Sequence, residues 1–448
     1  MDFLTTEQVV ALAPDAASVK AGQGLAAPGK WVSLGRAGRS VWGECQGSGS
    51  KPYRTQTDLG EPAFHCSCPS RKFPCKHGLG LLLLLAANPA RVSEAEPPAW
   101  VSEWIAKRDA NAEKKAGKVE AVAADPETAA KREAEREKRA AKREDRVRAG
   151  LADLQTWIGD LVRQGLAHAK QQPSQFFDGM AARMVDAQAP GVARRVRELP
   201  GLFASGEGWA DRVLEELGTL EWLLHGFARL ETLPEGMRAT VRGAIGWNVT
   251  EQELGGADTL RDRWQVIGQI VEEEEKLRVQ RTWLMGETTR RLALCLSFAA
   301  MNQALDVSLV AGTVVEADLV FYPSATPLRA MVRARHGEAG RLGSPAVSVD
   351  FQEALDQTAS LLAGDPWLER TAWFVGNCLP LQREERWLLR DARGETVPMA
   401  RGFTNGWPLF ALSGGAPVTI CGEWNGHDLF PLSVMVDGNL IPLGGAFL

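Results

Sequence analysis

The chain lacks long apolar runs, an excess of positive charge and an even set of cysteines, and each lack excludes something. The longest apolar stretch, residues 79–87, is far shorter than the roughly 20 residues of a membrane-spanning helix. The opening Met1-Asp2-Phe3-Leu4-Thr5-Thr6-Glu7 is not the basic, apolar, cleavable segment of a secreted protein. A formal net charge of −5 gives the molecule no bulk attraction for nucleic acid, so any such binding has to be local. The seven cysteines are odd in number, and Cys295, Cys378 and Cys421 stand singly, which is no disulfide framework. The expectation is a soluble, cytoplasmic protein in a reducing compartment with no membrane contact. Tyrosine is also scarce, two against fifteen tryptophans, a ratio without an evident physical cause.

Catalytic signatures are missing too. His168, His225, His336 and His427 are solitary, with no Cys, Ser or carboxylate beside them in a nucleophile motif. Gly47-Ser48-Gly49-Ser50-Lys51 lacks the four-residue spacer and the following hydroxyl of a phosphate loop, and it joins two strands rather than opening a helix. It reads as a hairpin turn. The acidic run 272–275 is self-repelling and reads as exposed, not as an acid/base pair or a metal cage.

What is present is concentrated in His65-Cys66-Ser67-Cys68-Pro69-Ser70-Arg71-Lys72-Phe73-Pro74-Cys75-Lys76-His77. Thiolates and imidazole together suit a tetrahedral zinc ion. Positions i and i+2 of a strand share a face, so Cys66 and Cys68 can reach one ion. Cys75 and His77 stand at the entrance to the apolar helix that follows. Four protein ligands leave no open position for water, which predicts a structural Zn2+ and argues against zinc catalysis. His65 alternates to the opposite face of the strand, and Cys45 reads as a small core residue.

The pattern, Cys-x-Cys, six residues, then Cys-x-His, resembles the SWIM zinc finger, with the preceding strand, the Pro74-Cys75-Lys76-His77 string and the leucine-rich helix matching as well. The resemblance covers roughly residues 30–90. The wider chain is similar to bacterial SWIM proteins of about this length, and that resemblance implies DNA or protein binding. It also implies an association with a MoxR-type AAA+ ATPase and a von Willebrand A-domain protein. Arg71, Lys72 and Lys76, with the aromatic Phe73, form a local basic tip for a partner protein or a phosphate backbone.

Along the chain, helices are expected at 5–12 and 15–21, and short strands at 31–34, 40–45, 53–59 and 63–66, a sheet too small to be stable without its metal. From about 109 to 148 the chain is mostly Ala, Lys, Arg and Glu without an apolar stripe; this reads as a linker, flexible near Gly117 and Pro126 and helical beyond. Helical patterns follow at 151–166, 174–187, 191–199, 209–230, 235–245 and 259–275. After the acidic run, strands are expected at 277–285, 292–298, 314–321, 329–334, 373–375, 387–390 and 418–424, with one helix at 351–362.

The fold class is α+β multidomain: 1–98 with the finger, a charged linker 99–150, a helical region 151–276 and a β-rich α+β region 277–448. The functional reading is a non-enzymatic zinc-binding adaptor that recognises a protein partner. The alternatives are a nucleic-acid-binding protein, through the basic tip, and an enzyme with an unrecognised site in the C-terminal region.

Overall fold

The computed structural model describes residues 4–443 apart from 48–50, 61, 121–125, 248, 252, 275–276, 301–302, 304, 344 and 346, and it leaves the side chains of 111–140 undescribed. The expected turn at 46–52 and the last residue of the acidic run fall partly outside that range.

The chain is an α+β multidomain protein, as its patterning predicts. It opens with α1 (Thr6–Ala11) and α2 (Ala16–Gln23). Thr5 and Gln8 close the capping box expected of their spacing. Strands β1 (Trp31–Ala37), β2 (Ser40–Cys45), β3 (Tyr53–Asp58) and β4 (Ala63–Cys66) form an antiparallel sheet in sequence order. Helix α3 (Lys76–Ala87) follows and buries Leu79 and Leu81–Leu85 between that sheet and α1 and α2. A helix apolar all round needs covering on every side, and Gly80 allows the close approach: a Cβ there would come within 2.7 Å of Leu25 Cβ.

Helix α4 (Ala99–Glu120) contains Gly117, and α5 (Pro126–Gln164) begins at Pro126, so both residues are helical, while the stretch between the two helices, 121–125, lies outside the described residues. Ala, Glu, Lys and Arg are strong helix formers, and proline is well placed in a first turn. Helix α5 runs through residue 150 without a break, and Val147 and Leu151 already belong to the next core. That core is closed by α6 (Leu166–Ala169), α7 (Ser174–Asp186), α8 (Pro190–Phe203), α9 (Trp209–Ala228) and α10 (Glu235–Ile245) around Leu154, Met184, Leu199 and Leu223. Pro200 does not end α8; the helix continues to Phe203, which is buried in the core.

The helical region stops at Ile245. The helix expected at 259–275 is instead strand β5 (Leu260–Glu274). Trp264 and Val266 point into a barrel, a bulge then shifts the register between Val266 and Gly268, and Ile267 and Ile270 pack on a second sheet. Burial on both faces and the bulge together erase the alternation that marks a strand.

With β6 (Leu277–Gly286), β7 (Leu292–Ala300), β8 (Thr313–Phe321) and β9 (Arg329–Arg341), β5 makes a closed barrel of order β5-β6-β7-β9-β8. β7 and β9 are parallel and the other ladders antiparallel.

Beyond α11 (Phe351–Gly364) come β10 (Thr371–Arg383), β11 (Arg386–Arg390), β12 (Thr396–Pro398), α12 (Gly406–Ser413), β13 (Val418–Trp424), β14 (Leu429–Val436) and β15 (Asn439–Pro442). Their six strands form one sheet of order β12-β11-β10-β13-β14-β15. Strand β14 escapes sequence reading because Pro431 interrupts it. The proline sits where the β13–β14 register shifts, a position that tolerates a missing N–H.

The modules are docked on one another. Gln8 Nε2 donates to the Ala311 carbonyl at 3.1 Å, and Val310 of the barrel belongs to the finger's core. Trp367 Nε1 donates to Thr219 O of the bundle at 3.2 Å. Arg281 and Trp283 of the barrel both donate to buried Glu423 of the second sheet, at 2.8 and 2.7 Å.

Candidate metal centre

Strand β4 ends at Cys66, and Cys68 follows two residues later. Cys75 is the N-cap of α3, and its carbonyl accepts the Leu79 amide at 3.0 Å; His77 lies in that helix's first turn. The sheet and the helix thus each deliver two ligands.

Their ligand atoms all lie within 4.8 Å of one another. His77 Nδ1 is 3.7 Å from Cys66 Sγ and 4.0 Å from Cys75 Sγ. A tetrahedral zinc with bonds of about 2.0–2.3 Å separates its ligand atoms by roughly 3.5–3.8 Å, so the donor set fits the ion and the cluster is a structural zinc site.

Without the ion the three thiols cannot all ionise. A hydrogen bond shared between Cys66 and Cys75 holds Cys75 far below the ordinary thiol range and pushes Cys66 far above it. Burial pushes Cys68 up. Metal binding therefore displaces protons.

Around the ligands stand groups that spacing did not reveal. Thr55 pairs with Cys66 across the β3–β4 ladder, and its Oγ1 lies 3.1 Å from the sulfur. Tyr53 tilts over His77 with ring centroids 5.0 Å apart. Only the strand register places either one there. His65 is exposed and faces Trp104 at 6.4 Å, outside the cluster. Cys45 is fully buried in the finger's core.

The loop between the ligand pairs carries Arg71 and Lys72 on the surface, and Lys76 opens α3, also exposed. Lys72 is paired with Asp15 at 2.7 Å. Phe73 is half-buried and packs edge-on against Phe64, centroids 5.8 Å apart. Asp58, nearly fully buried, takes Arg39 at 3.4 Å and Arg108 of α4 at 3.3 Å, which ties α4 to the finger.

Elsewhere, burial pushes the thiols of Cys295 and Cys378 up to about 12 and that of Cys421 higher still. A thiol held protonated is a poor nucleophile. No helix among the described residues is long and apolar enough to cross a membrane.

Compared with known proteins, residues 59–86 match the SWIM zinc finger, and residues 142–245 match the SWIM-associated four-helix bundle domain. No curated protein and no solved structure matches the chain. The chain therefore carries a SWIM zinc finger, built on Cys66, Cys68, Cys75 and His77, and behind it the four-helix bundle domain associated with that finger.

Proposed function

We propose that this is a non-enzymatic, cytoplasmic recognition protein in which zinc holds the finger in shape to bind a protein partner. The observation that carries this reading is the state of the finger tip. Phe73, the aromatic group a nucleic-acid site would use to stack a base, is turned into the finger's core against Phe64. Lys72 is already neutralised by Asp15. What remains at the tip, Arg71 and Lys76, suits an acidic protein surface better than a strand of bases. The closed ligand set and the protonated C-terminal thiols support a role without catalysis.

The family resemblance names the partner to try first, a MoxR-type AAA+ ATPase working with a von Willebrand A-domain protein. The test is surface-plasmon binding of the zinc-loaded chain to such an ATPase, beside an Arg71→Ala/Lys76→Ala variant. Binding that weakens at least tenfold, about 1.4 kcal/mol, in the variant is the expected result. No binding by the zinc-loaded chain would sink this assignment.

The second reading, nucleic-acid binding through Arg71, Lys72 and Lys76, rests on the same exposed cations. It requires salt-sensitive fluorescence anisotropy with DNA or RNA, and a shallower salt slope in the variant.

A further inference from the structure

Strand β3 supplies no zinc ligand, yet it carries two fully buried hydroxyls, those of Thr55 and Thr57. The two residues share one face of the strand. Valine would fill either position with nearly the same shape and would suit a buried strand at least as well. A hydroxyl shut away from water costs free energy unless it is hydrogen-bonded. On that point the two differ. The Thr57 hydroxyl has no partner among the described residues. Thr55 Oγ1 lies 3.1 Å from Cys66 Sγ, and the pairing of Thr55 with Cys66 across β3 and β4 holds it there.

Zinc chemistry fixes the direction of that bond. A cysteine ligand is a thiolate, so Cys66 has no proton to give and the Thr55 hydroxyl has to donate. Three thiolates against a dication leave the cluster with a net negative charge, and its ligands are partly or wholly buried. Donors aimed at the sulfurs stabilise such a charge. The backbone supplies one to each thiolate: the Cys68 amide to Cys66, the Ser70 amide to Cys68 and the Gly78 amide to Cys75. Cys66 receives a further donor, and this one comes from a side chain.

We infer that Thr55 is a positioning residue for the zinc site: its hydroxyl donates to the Cys66 thiolate, holds that sulfur toward the other three ligands and raises the affinity of the finger for zinc. The bond ties a strand without ligands to the metal centre. Metal binding and folding are coupled in a module of this size, so the same hydroxyl contributes to the finger's stability. This role is independent of which partner the finger takes.

The test is zinc titration of the full chain against a competing chromophoric chelator, with the cobalt-loaded chain as a spectroscopic arm. Thr55→Val keeps the branched shape and removes the donor, and it should bind zinc about tenfold or more weakly than the parent. It should also move the sulfur-to-cobalt charge-transfer band to longer wavelength, because a thiolate without its hydrogen bond gives up electron density more readily. Thr55→Ser should restore both. Thr57→Val makes the same exchange on the same face of β3, where the hydroxyl has no partner, and should change neither. Circular dichroism of the loaded chain establishes that each variant is folded, and Thr55→Ala takes the place of Thr55→Val if the valine does not pack. Unchanged zinc affinity or an unmoved band in the folded variant without the donor, or an equal loss in Thr57→Val, would each overturn the assignment.

Discussion

Cys68 shows how much one side chain decides. The finger's sheet is short, and the pairing of two sheet ligands with two helix ligands is closed by the ion. Cys68→Ala should lower bound zinc to well below one per chain, measured by plasma mass spectrometry, and give the finger its own early melting transition. A variant with full zinc content and an unchanged melting profile would contradict the ligand set. Asp262 offers a prediction of a different kind. Burial pushes its carboxyl up, but hydrogen bonds from the Thr289 amide and hydroxyl and from the Thr288 amide outweigh that, and its pKa is net lowered. A lowered folded-state pKa contributes stability above the unfolded value of about 3.9 that is lost as pH falls through the folded value. Asp262→Asn should therefore lower the urea midpoint at neutral pH and flatten its decline in the acid range. A decline as steep as in the parent would rule out this role.

Between elements, the barrel and the second sheet are held by a buried ion pair. Arg281 and Glu423 are 7% and 4% exposed, Glu272 takes the other side of the guanidinium at 2.7 Å, and Trp283 adds its N–H to Glu423. Removing Glu423 takes away the guanidinium's buried partner, leaves it only the half-exposed Glu272, and strands the Trp283 N–H. Glu423→Ala is expected to cost the C-terminal region about 3–5 kcal/mol, read by urea denaturation with tryptophan fluorescence. Replacing both charges with apolar residues of similar volume should restore much of it. A single-variant cost under about 1 kcal/mol would place this pair among the weak surface type.

Across the whole molecule, the finger is not an isolated bead on a charged tether. Gln8 caps α1 with its Oε1 and reaches the Ala311 carbonyl at the entrance to β8 with its Nε2, and Val310 beside it packs in the finger's core. Chelation of zinc should therefore be felt in the barrel. In hydrogen exchange, amides of the finger should lose protection outright and those near 307–313 in part, while residues 142–245 should stay protected. Loss of protection throughout the bundle would mean that the modules unfold as one.

Local chemistry and periodicity made much of this legible in the chain itself. Ligand identity follows from four side chains of the right type at short spacing. The helices of the bundle follow from a one-sided apolar stripe, and the expected span 235–245 coincides with α10. The finger's sheet follows from short alternating runs between turn residues. Long-range packing decided the rest. Strand β5 reads as a helix because both its faces are buried and a bulge resets its alternation. Strand β14 hides behind Pro431 at a register shift. Thr55 beside Cys66 and Asp15 beside Lys72 are neighbours only after folding. A sequence specifies which groups a segment can offer; which groups meet depends on strand register and helix docking, and these are settled by burial summed over the whole chain.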